Sequence, residues 1–495
     1  MLLKKWLMLP CIFVVSLLTF YIISLQTYSI NSDGILYLQT AYAMGQSSIN
    51  AAFHVYAWPF YSIMVYWLSI WTHISLVHSA TMINAVLQAL TAIFFWLILD
   101  ELDKRLVLSL IAALTILLYP QFNGYRDYIM RDFGYWAFFL CGLWGMLRYA
   151  RKNSLLNIFI FYVGFVSAFF FRIEGFCFLV LLPLICLFFT EYHFSKRVWL
   201  ATKLYLPGVI LAILASGYFL IVKHENLMFI GRMPQLGVAM LHGWTEVSGG
   251  FRHFSALLVS SVLTPDAKNS APYITLWGLS GLWLQKIIAA PGIIFTALFA
   301  YGHYYKTLKT TNSQKAILYF IILIYVGLSF YFIFTKYFLV DRYLLAMSFV
   351  VLLWTPSALY DLYQRCKKRW MFALMIFILL IVCSGGIIKY GPSKVHLVQS
   401  AAWLNQHRSD NSVICTNDKF LLYKADGITM SFDDLFDTPY DMLKQTNVKC
   451  NYIAAVVNRK RVKAFLKLQN KYGITPMQIF KNRHGDTVFI YKINL

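Results

Sequence analysis

Long apolar runs separated by short polar segments fill the first 390 residues of the chain. Many of these runs approach the roughly 20 residues that a helix needs to cross the hydrocarbon core of a bilayer. A soluble protein of this length would not carry so many. The pattern predicts eleven membrane spans, at residues 6–26, 79–99, 106–120, 133–150, 155–171, 174–190, 203–222, 275–301, 316–334, 338–360 and 371–388.

The short apolar segment 58–71 is predicted to lie on the membrane surface, because it contains Pro59 and is flanked by histidines. With this segment outside the membrane, most loop lysines and arginines share one side with the N-terminus, where Lys4 and Lys5 precede the first span. Short cytoplasmic loops retain such residues, so this side is cytoplasmic. The short loops on the external side hold only Arg126, Arg131, Arg172, Lys336 and Arg342.

The pattern changes near residue 390, where the apolar runs stop and polar residues become regular. An amphipathic helix is predicted at 395–407, a basic helix at 461–472, and short strands at 412–415, 452–457 and 487–493. The fold class is therefore mainly α: a polytopic transmembrane helical domain over 1–390 and a small external α/β domain over 391–495. Two further external segments, 27–79 and 223–272, are long, and loops of that length are usually functional.

Composition supports a membrane protein, with 59% hydrophobic residues, 18% aromatic residues and a mean hydropathy of +0.61. The formal net charge of +22 would suggest nucleic acid in a soluble protein. Here much of the excess lies in cytoplasmic loops, where it sets orientation and meets anionic lipid, so no nucleic-acid partner is predicted.

Of the eight cysteines, Cys415 and Cys450 alone share the external tail. They either form a disulfide or remain two buried thiols.

An acidic motif, Asn31-Ser32-Asp33-Gly34, follows the first span and precedes an amphipathic stretch at 35–44. Ionisable groups at membrane depth cost roughly 2.5 to 3.5 kcal/mol each on insertion scales, so they need a partner or a function. Ser32 or Asp33 could cap the following helix by accepting backbone N–H bonds. The alternative is that Asp33 is a functional carboxylate.

Two more charged patches lie at external span ends. The first, 125–133, repeats Arg-Asp, and a helix there would place Asp127 opposite Arg131 at i, i+4 as an ion pair. The second, 171–175, places Arg172 and Glu174 in a turn too short to reach bulk water, where they could form an internal salt bridge. In each patch, local pairing and a role in a reaction site remain alternatives.

Together, one external carboxylate after the first span and several arginines at later span ends suit a reaction that expels a phosphate at the membrane surface. Arginine binds phosphate bidentately and neutralises it. A carboxylate can then take a proton from the incoming hydroxyl.

In this order along the chain, the motifs resemble those of the GT-C superfamily of integral-membrane glycosyltransferases, which includes bacterial lipid A aminoarabinose transferases and protein O-mannosyltransferases. The resemblance rests on the acidic motif 31–34 with its surface helix, the aromatic segment 52–59, the charged residues that open the fourth span, the Arg342-Tyr343-Leu344-Leu345 motif and the external C-terminal domain.

The resemblance implies a sugar donor carried on a polyprenyl phosphate and a hydroxyl acceptor on a lipid, glycan or protein. It implies that Asp33 is the general base and that a second acid is Asp127 or Asp132. The candidate ligands of the donor phosphate are Arg126, Arg131, Arg172, Lys336 and Arg342. Candidate sugar or acceptor contacts are His54, Tyr56, Trp58 and Glu174, although His54 could instead pack at the interface and the aromatics suit an interfacial belt.

No cofactor is assigned with certainty, and metal dependence stays open. A divalent metal is not indicated, because the first motif holds a single Asp without the paired acids that some relatives place around a metal. The resemblance also implies a bacterial inner-membrane location, with the N-terminus cytoplasmic and the C-terminal domain periplasmic.

Two other functions remain open. A transporter or flippase of lipid-linked sugars would show charges along a route through mid-membrane, with broken helices and paired repeats. Here no inverted repeat is visible and the charges gather at one face. A polysaccharide polymerase or ligase would share the donor and differ in its acceptor. The sequence does not fix the sugar, the acceptor or the polyprenyl length.

Overall fold

The protein is described by a computed structural model over residues 2–26, 29–221, 231–389, 394–409, 412–430, 435–436, 438–440 and 450–493. It is mainly helical, as predicted. In chain order the α-helices are α1 (Leu2–Ser24), α2 (Ser32–Gln46), α3 (Ile49–Val55), α4 (Phe60–Thr72), α5 (Leu76–Leu102), α6 (Leu106–Leu118), α7 (Pro120–Asn123), α8 (Asp132–Arg151), α9 (Leu155–Phe171), α10 (Gly175–Leu181), α11 (Phe194–Ile221), α12 (Met233–Ser261), α13 (Ala271–Ala289), α14 (Ile293–Tyr304), α15 (Asn312–Lys336), α16 (Asp341–Leu352), α17 (Thr355–Arg365), α18 (Arg369–Ile387), α19 (Val395–His407), α20 (Lys419–Asp426) and α21 (Val462–Tyr472). Short 3₁₀ helices cover Leu182–Phe188, Pro265–Ser270 and Gly427–Thr429.

Each predicted span coincides with a helix or a pair of consecutive helices. Within the described residues, six helices are long and apolar enough to cross a membrane, or up to eight if two bent helix pairs each form one span. The bent pairs are Pro265–Ala289 with Ile293–Tyr304, at 79°, and Asp341–Leu352 with Thr355–Arg365, at 44°. These helices indicate an integral membrane protein. The count of eleven stays a prediction, because α8, α9 and α10 do not meet the same criteria.

The segment predicted to lie on the membrane surface forms α4. Its side chains Trp67 and Trp71 are 49% and 78% exposed. Large indole rings left on the surface suit the membrane–water interface, which tryptophan favours. The surface location itself stays a prediction.

The chain divides into two compact units. Unit 1 comprises Met1–Phe20, Ile83–Arg126 and Arg131–Ile387, and unit 2 comprises Tyr21–Met82, Asp127–Met130 and Ile388–Leu495. The predicted domains 1–390 and 391–495 stay a prediction. Gly391 and Pro392, which mark their boundary in the sequence, lie outside the described residues.

In unit 1 the helices α8 and α9 pack backbone to backbone. A Cβ added at Gly164 would lie 2.1 Å from the Gly142 backbone nitrogen, and a Cβ at Gly145 would lie 2.6 Å from the backbone nitrogen of Phe161. Small residues permit this close approach between membrane helices, where van der Waals packing and not water drives association. The crossing fixes the position of the α8 and α9 ends that carry the charged residues.

Unit 2 contains a four-stranded sheet in the order β1-β2-β4-β3, formed by β1 (Ile414–Thr416), β2 (Tyr452–Val457), β3 (Gln478–Lys481) and β4 (Thr487–Lys492). β1 and β2 are parallel, and β4 is antiparallel to both of its neighbours. The predicted helices at 395–407 and 461–472 and the three predicted strands are present. Helix α20 and strand β3 were not predicted, since α20 has only 8 residues and the β3 side chains are largely exposed.

Two hydrophobic clusters flank this sheet. One joins side chains of α19, α20, β2 and β4 with Ile35 from α2. The other surrounds Cys415 and Cys450, which form a disulfide with their Cα atoms 5.9 Å apart. The structure thus resolves the alternative between a disulfide and two buried thiols. It also shows that the C-terminal residues share a core with α2, which lies in the segment 27–79.

Candidate functional site

Arg172 is the centre of a buried charge cluster in unit 1. It follows the last residue of α9, and Glu174 immediately precedes α10. The Arg172 guanidinium donates to Asp132 at the start of α8, and it also donates to Glu174, with Nε at 3.3 Å from Oε2. Only 5% of Arg172 is exposed. One cation is therefore held between two carboxylates, which satisfies charges that would be costly to bury alone.

Aromatic rings complete the surroundings of Arg172. The guanidinium lies 4.4 Å from the ring centre of Tyr343 and 5.5 Å from that of Tyr135. The hydroxyls of Tyr135 and Tyr325 share a hydrogen bond of 2.7 Å. Cation–π contact and the two carboxylates together hold the guanidinium plane in one orientation.

The Arg172 cluster lines a cavity of about 700 Å³. Its charged lining comes from three parts of unit 1: the turn after α9, the start and middle of α12, and the end of α15. The charged residues on its wall are Arg172, Glu174, Arg232, Glu246 and Lys336. Tyrosine, phenylalanine and leucine side chains form much of the rest. A cavity of this size, mostly apolar with a few converging charges, is typical of a ligand site.

In unit 2, Asp33 lies in the first turn of α2. Two residues earlier, the Asn31 side chain forms a pair of hydrogen bonds with the backbone of Ile129, which we call the Asn31 clamp. Asn31 is the residue before the helix, and its side chain does not cap it. Instead Asn31 donates Nδ2 to the Ile129 carbonyl at 3.1 Å and accepts the Ile129 N–H at 2.8 Å. The hypothesis that Ser32 or Asp33 is the N-cap is therefore wrong, because Asn31 occupies that position.

Gly34 permits this clamp, since a Cβ there would lie 2.8 Å from the Cβ of Ile129. Asp127, two residues earlier, forms an ion pair with Lys389 at 2.8 Å. Residues 124–131 are not helical, so the predicted i, i+4 pair of Asp127 and Arg131 lacks the geometry it needs. Within unit 2 the acidic motif and the 127–130 segment are thus held side by side.

Helix α2 is also tied to the C-terminal part of unit 2. Gln39 donates Nε2 to the carbonyl of Met430 at 3.0 Å. Together with Ile35 in the hydrophobic cluster, this bond fixes the helix that carries Asp33. The tail therefore acts as the support of the acidic motif, a role that the sequence did not indicate.

The other predicted phosphate ligands differ in accessibility. Arg126 is fully buried, and its guanidinium donates to neutral oxygens of Ser16, Gln88 and Asn123. Arg131 is 8% exposed, beside the start of α8. Arg342 lies 5.4 Å from the ring centre of Tyr343, while Lys336 is exposed at the end of α15. Of the five predicted cations, Arg172 and Lys336 line the cavity.

The residues predicted to contact the sugar or the acceptor differ in their exposure and surroundings. His54 is exposed in the last turn of α3, and the alternatives of a sugar contact and packing at the membrane interface both stay predictions. The ring of Tyr56 contacts Tyr37 of α2 edge to face, with centres 5.5 Å apart, and Trp58 is 9% exposed. Tyr56 therefore packs against α2, and Trp58 is buried. Glu174, by contrast, lines the unit 1 cavity.

Sequence reasoning missed three charged residues: Arg232 and Glu246 on the cavity wall, and Lys389 as the partner of Asp127. Arg232 and Glu246 lie in the segment 223–272, which is predicted to be external, and the length of this segment was the available signal. Lys389 directly follows the last predicted span, where a basic residue has no distinctive pattern. Within the described residues, no three His, Cys, Asp or Glu side chains group in a way that could hold a metal ion, and no step is assigned to one.

No protein-family model matches this chain, and no curated protein matches it in sequence. Its fold is similar to that of the Archaeoglobus fulgidus oligosaccharyltransferase. The crystal structure with Zn and sulfate aligns with a TM-score of 0.54 at 11% identity, over 92% of this chain and 69% of that chain. The structure tethered to an acceptor peptide with an NVT sequon also gives 0.54 at 11% identity, over 99% and 74%. The apo form gives 0.51 at 11% identity, over 96% and 74%.

That oligosaccharyltransferase has the GT-C fold, so the predicted resemblance is confirmed at the level of fold. At 11% identity the likeness extends no further than the fold. The narrower resemblance to lipid A aminoarabinose transferases and protein O-mannosyltransferases stays a prediction.

Proposed function

We propose that this protein is a membrane glycosyltransferase that moves a sugar from a polyprenyl-phosphate donor to a hydroxyl acceptor on the external face of the bacterial inner membrane. The observation that carries the proposal is the cavity of about 700 Å³ in a GT-C-like fold, with Arg172, Arg232 and Lys336 on its wall. Its apolar and aromatic lining suits a lipid-linked sugar, and its cations suit a phosphate.

The leaving group in this reaction is a lipid phosphate, which is already ionised and needs neutralisation more than protonation. Arg172 is fixed by two carboxylates, which orient its remaining N–H donors toward the phosphate but largely offset its charge, so Arg232 and Lys336 supply the net positive charge. We assign Asp132 to positioning Arg172, because its carboxylate accepts from that guanidinium. Lys336, exposed at the end of α15, is the cation that completes the phosphate contact.

Asp33 is proposed as the general base. The acceptor O–H gives its proton to the Asp33 carboxylate, the acceptor oxygen bonds to C1 of the sugar, and the bond from C1 to the phosphate oxygen breaks. One displacement without a covalent sugar–enzyme intermediate inverts the configuration at C1. Asp127, paired with Lys389, holds the neighbouring segment in place.

The test is transfer of labelled sugar from a panel of polyprenyl-phosphate sugars by purified protein in detergent, with glycan, lipid and peptide acceptors. Asp33→Asn should lower the transfer rate by about 10²- to 10⁴-fold, the range for loss of a general base. Asp266→Asn is the matched control, because Asp266 is an exposed acid in the first turn of another helix on the predicted external side. It should transfer at the wild-type rate.

The donor site is tested separately with Lys336→Gln, which should raise the KM for the donor and leave the KM for the acceptor unchanged. Wild-type transfer by a correctly folded Asp33→Asn variant would remove Asp33 as the base. Absence of turnover with every donor, together with movement of lipid-linked sugar across liposomes, would instead establish a flippase.

A further inference from the structure

A second cavity, of about 460 Å³, lies in unit 1 apart from the charged one. It is almost entirely apolar, and its wall is formed by α6, α17 and α18 with Phe295 of α14. We call it the α6–α18 groove. Its lining residues are Val107, Ile111, Leu114, Thr115, Leu118, Phe295, Thr355, Leu359, Tyr360, Tyr363, Phe372, Ile376, Leu379, Leu380 and Cys383.

On the two long walls of the α6–α18 groove, the lining residues recur at the same intervals along the helix. The contacts on α6 run from Val107 to Leu118, and those on α18 run from Phe372 to Cys383, in both cases at positions i, i+4, i+7, i+8 and i+11. Such spacing is one stripe along a helix. Eleven residues rise about 16 Å at 1.5 Å each. That length is close to half of a hydrocarbon core of roughly 30 Å, which is the depth of one leaflet.

One end of the α6–α18 groove carries the positive charge. There α6 begins, α17 ends and α18 begins, and the neighbouring basic residues are Lys104, Arg105, Lys367, Lys368 and Arg369. This end is on the predicted cytoplasmic side. Anionic lipid in the cytoplasmic leaflet attracts basic residues that lie near its surface.

Two of these cations contact the groove wall directly. The Arg369 guanidinium lies 4.1 Å from the ring centre of Tyr363 and donates to its carbonyl, so both contacts are with neutral groups. Arg105 lies 5.3 Å from the ring centre of Tyr360, while it also pairs with Asp103. Arg369 therefore places a positive charge at the groove end, where Arg105 is already partly neutralised.

We propose that the α6–α18 groove binds one anionic phospholipid of the cytoplasmic leaflet. An acyl chain fills the apolar stripe between α6 and α18, and the lipid phosphate binds Arg369 with help from Lys367 and Lys368. Charge complementarity at the end and a length of one leaflet select this occupant. The site is independent of the proposed donor-phosphate site, whose cations Arg172, Arg232 and Lys336 line a different cavity.

Native mass spectrometry of the purified full chain tests the site, with phosphatidylglycerol or phosphatidylcholine added in equal amount. Wild type should retain phosphatidylglycerol preferentially. Arg369→Gln should weaken retention about fivefold, the factor for one basic residue near an anionic surface, and Arg369→Lys should restore it. Leu114→Trp, which fills the groove from a half-exposed position, should displace the lipid.

Arg148→Gln is the matched control. Arg148 also lies over an aromatic ring, 4.7 Å from the centre of Trp144, on the same predicted side but away from the groove. Its retention should equal that of the wild type. Equal retention of the two lipids, or unchanged retention in Arg369→Gln, would overturn the proposal. So would displacement of phosphatidylglycerol by a polyprenyl phosphate, or a dimer that excludes lipid from the groove.

Discussion

At the residue scale, the two interpretations of Arg172 are not exclusive. The sequence left open whether this cation forms an internal salt bridge or serves a reaction site. The structure shows the salt bridges to Asp132 and Glu174, and the same side chain lines the cavity. A guanidinium has enough N–H donors to bind two carboxylates and still face a ligand.

We expect Arg172→Met to destabilise the protein strongly, because it leaves Asp132 and Glu174 without their buried cation. Loss of one partner of a buried ion pair costs about 3 to 5 kcal/mol in free energy of unfolding. The measurement is the thermal unfolding midpoint in detergent. Arg365→Gln, which removes an exposed partner of Asp361, should shift the midpoint far less. Adding Asp132→Asn and Glu174→Gln to Arg172→Met should recover most of the loss; if it does not, charge burial is not its cause.

Arg126 shows what residue type and position alone leave open. It precedes the fourth predicted span, as a phosphate ligand would, yet it is fully buried. Its guanidinium links α1, α5 and α7 through hydrogen bonds to neutral groups. Nothing in the sequence around Arg126 distinguishes this structural role from binding of the donor phosphate, because its hydrogen-bond partners lie up to 110 residues away along the chain.

At the element scale, the contact between α8 and α9 should depend on glycine. We expect Gly164→Ala to destabilise the protein by about 1 to 3 kcal/mol, because the new methyl would overlap the Gly142 backbone, which cannot move aside. Gly327→Ala in α15 is the matched control, since nothing lies within 4 Å of that position. It should leave stability unchanged or slightly higher, because alanine favours helices. The thermal unfolding midpoints of the two variants are compared in detergent. Equal midpoints would contradict the close approach of the α8 and α9 backbones.

At the scale of the whole molecule, the disulfide tests the location of the C-terminal residues. If they face the periplasm, Cys415 and Cys450 should resist a maleimide–polyethylene glycol reagent in cells until a reductant is added, since disulfides persist in oxidising compartments. Cys366, in a predicted cytoplasmic loop, is the control and should be reduced throughout. Labelling of denatured protein with a thiol reagent gives the readout, and free Cys415 and Cys450 thiols in cells would place the tail in the cytoplasm.

The sequence by itself determined the elements that depend on local pattern. Long apolar runs located the helices of the membrane part, and short apolar runs located β1, β2 and β4, because a buried element is apolar over its own length. Short or exposed elements such as α20 and β3 were not predicted, because their sequences contain too short an apolar run to indicate a helix or a strand. Only tertiary structure decided which charges share a site: it paired Asp127 with Lys389, buried Arg126, and brought Arg232 and Glu246 to the wall beside Arg172. The physical reason is that a charge is paired, buried or exposed by neighbours distant in sequence, and no local period records them.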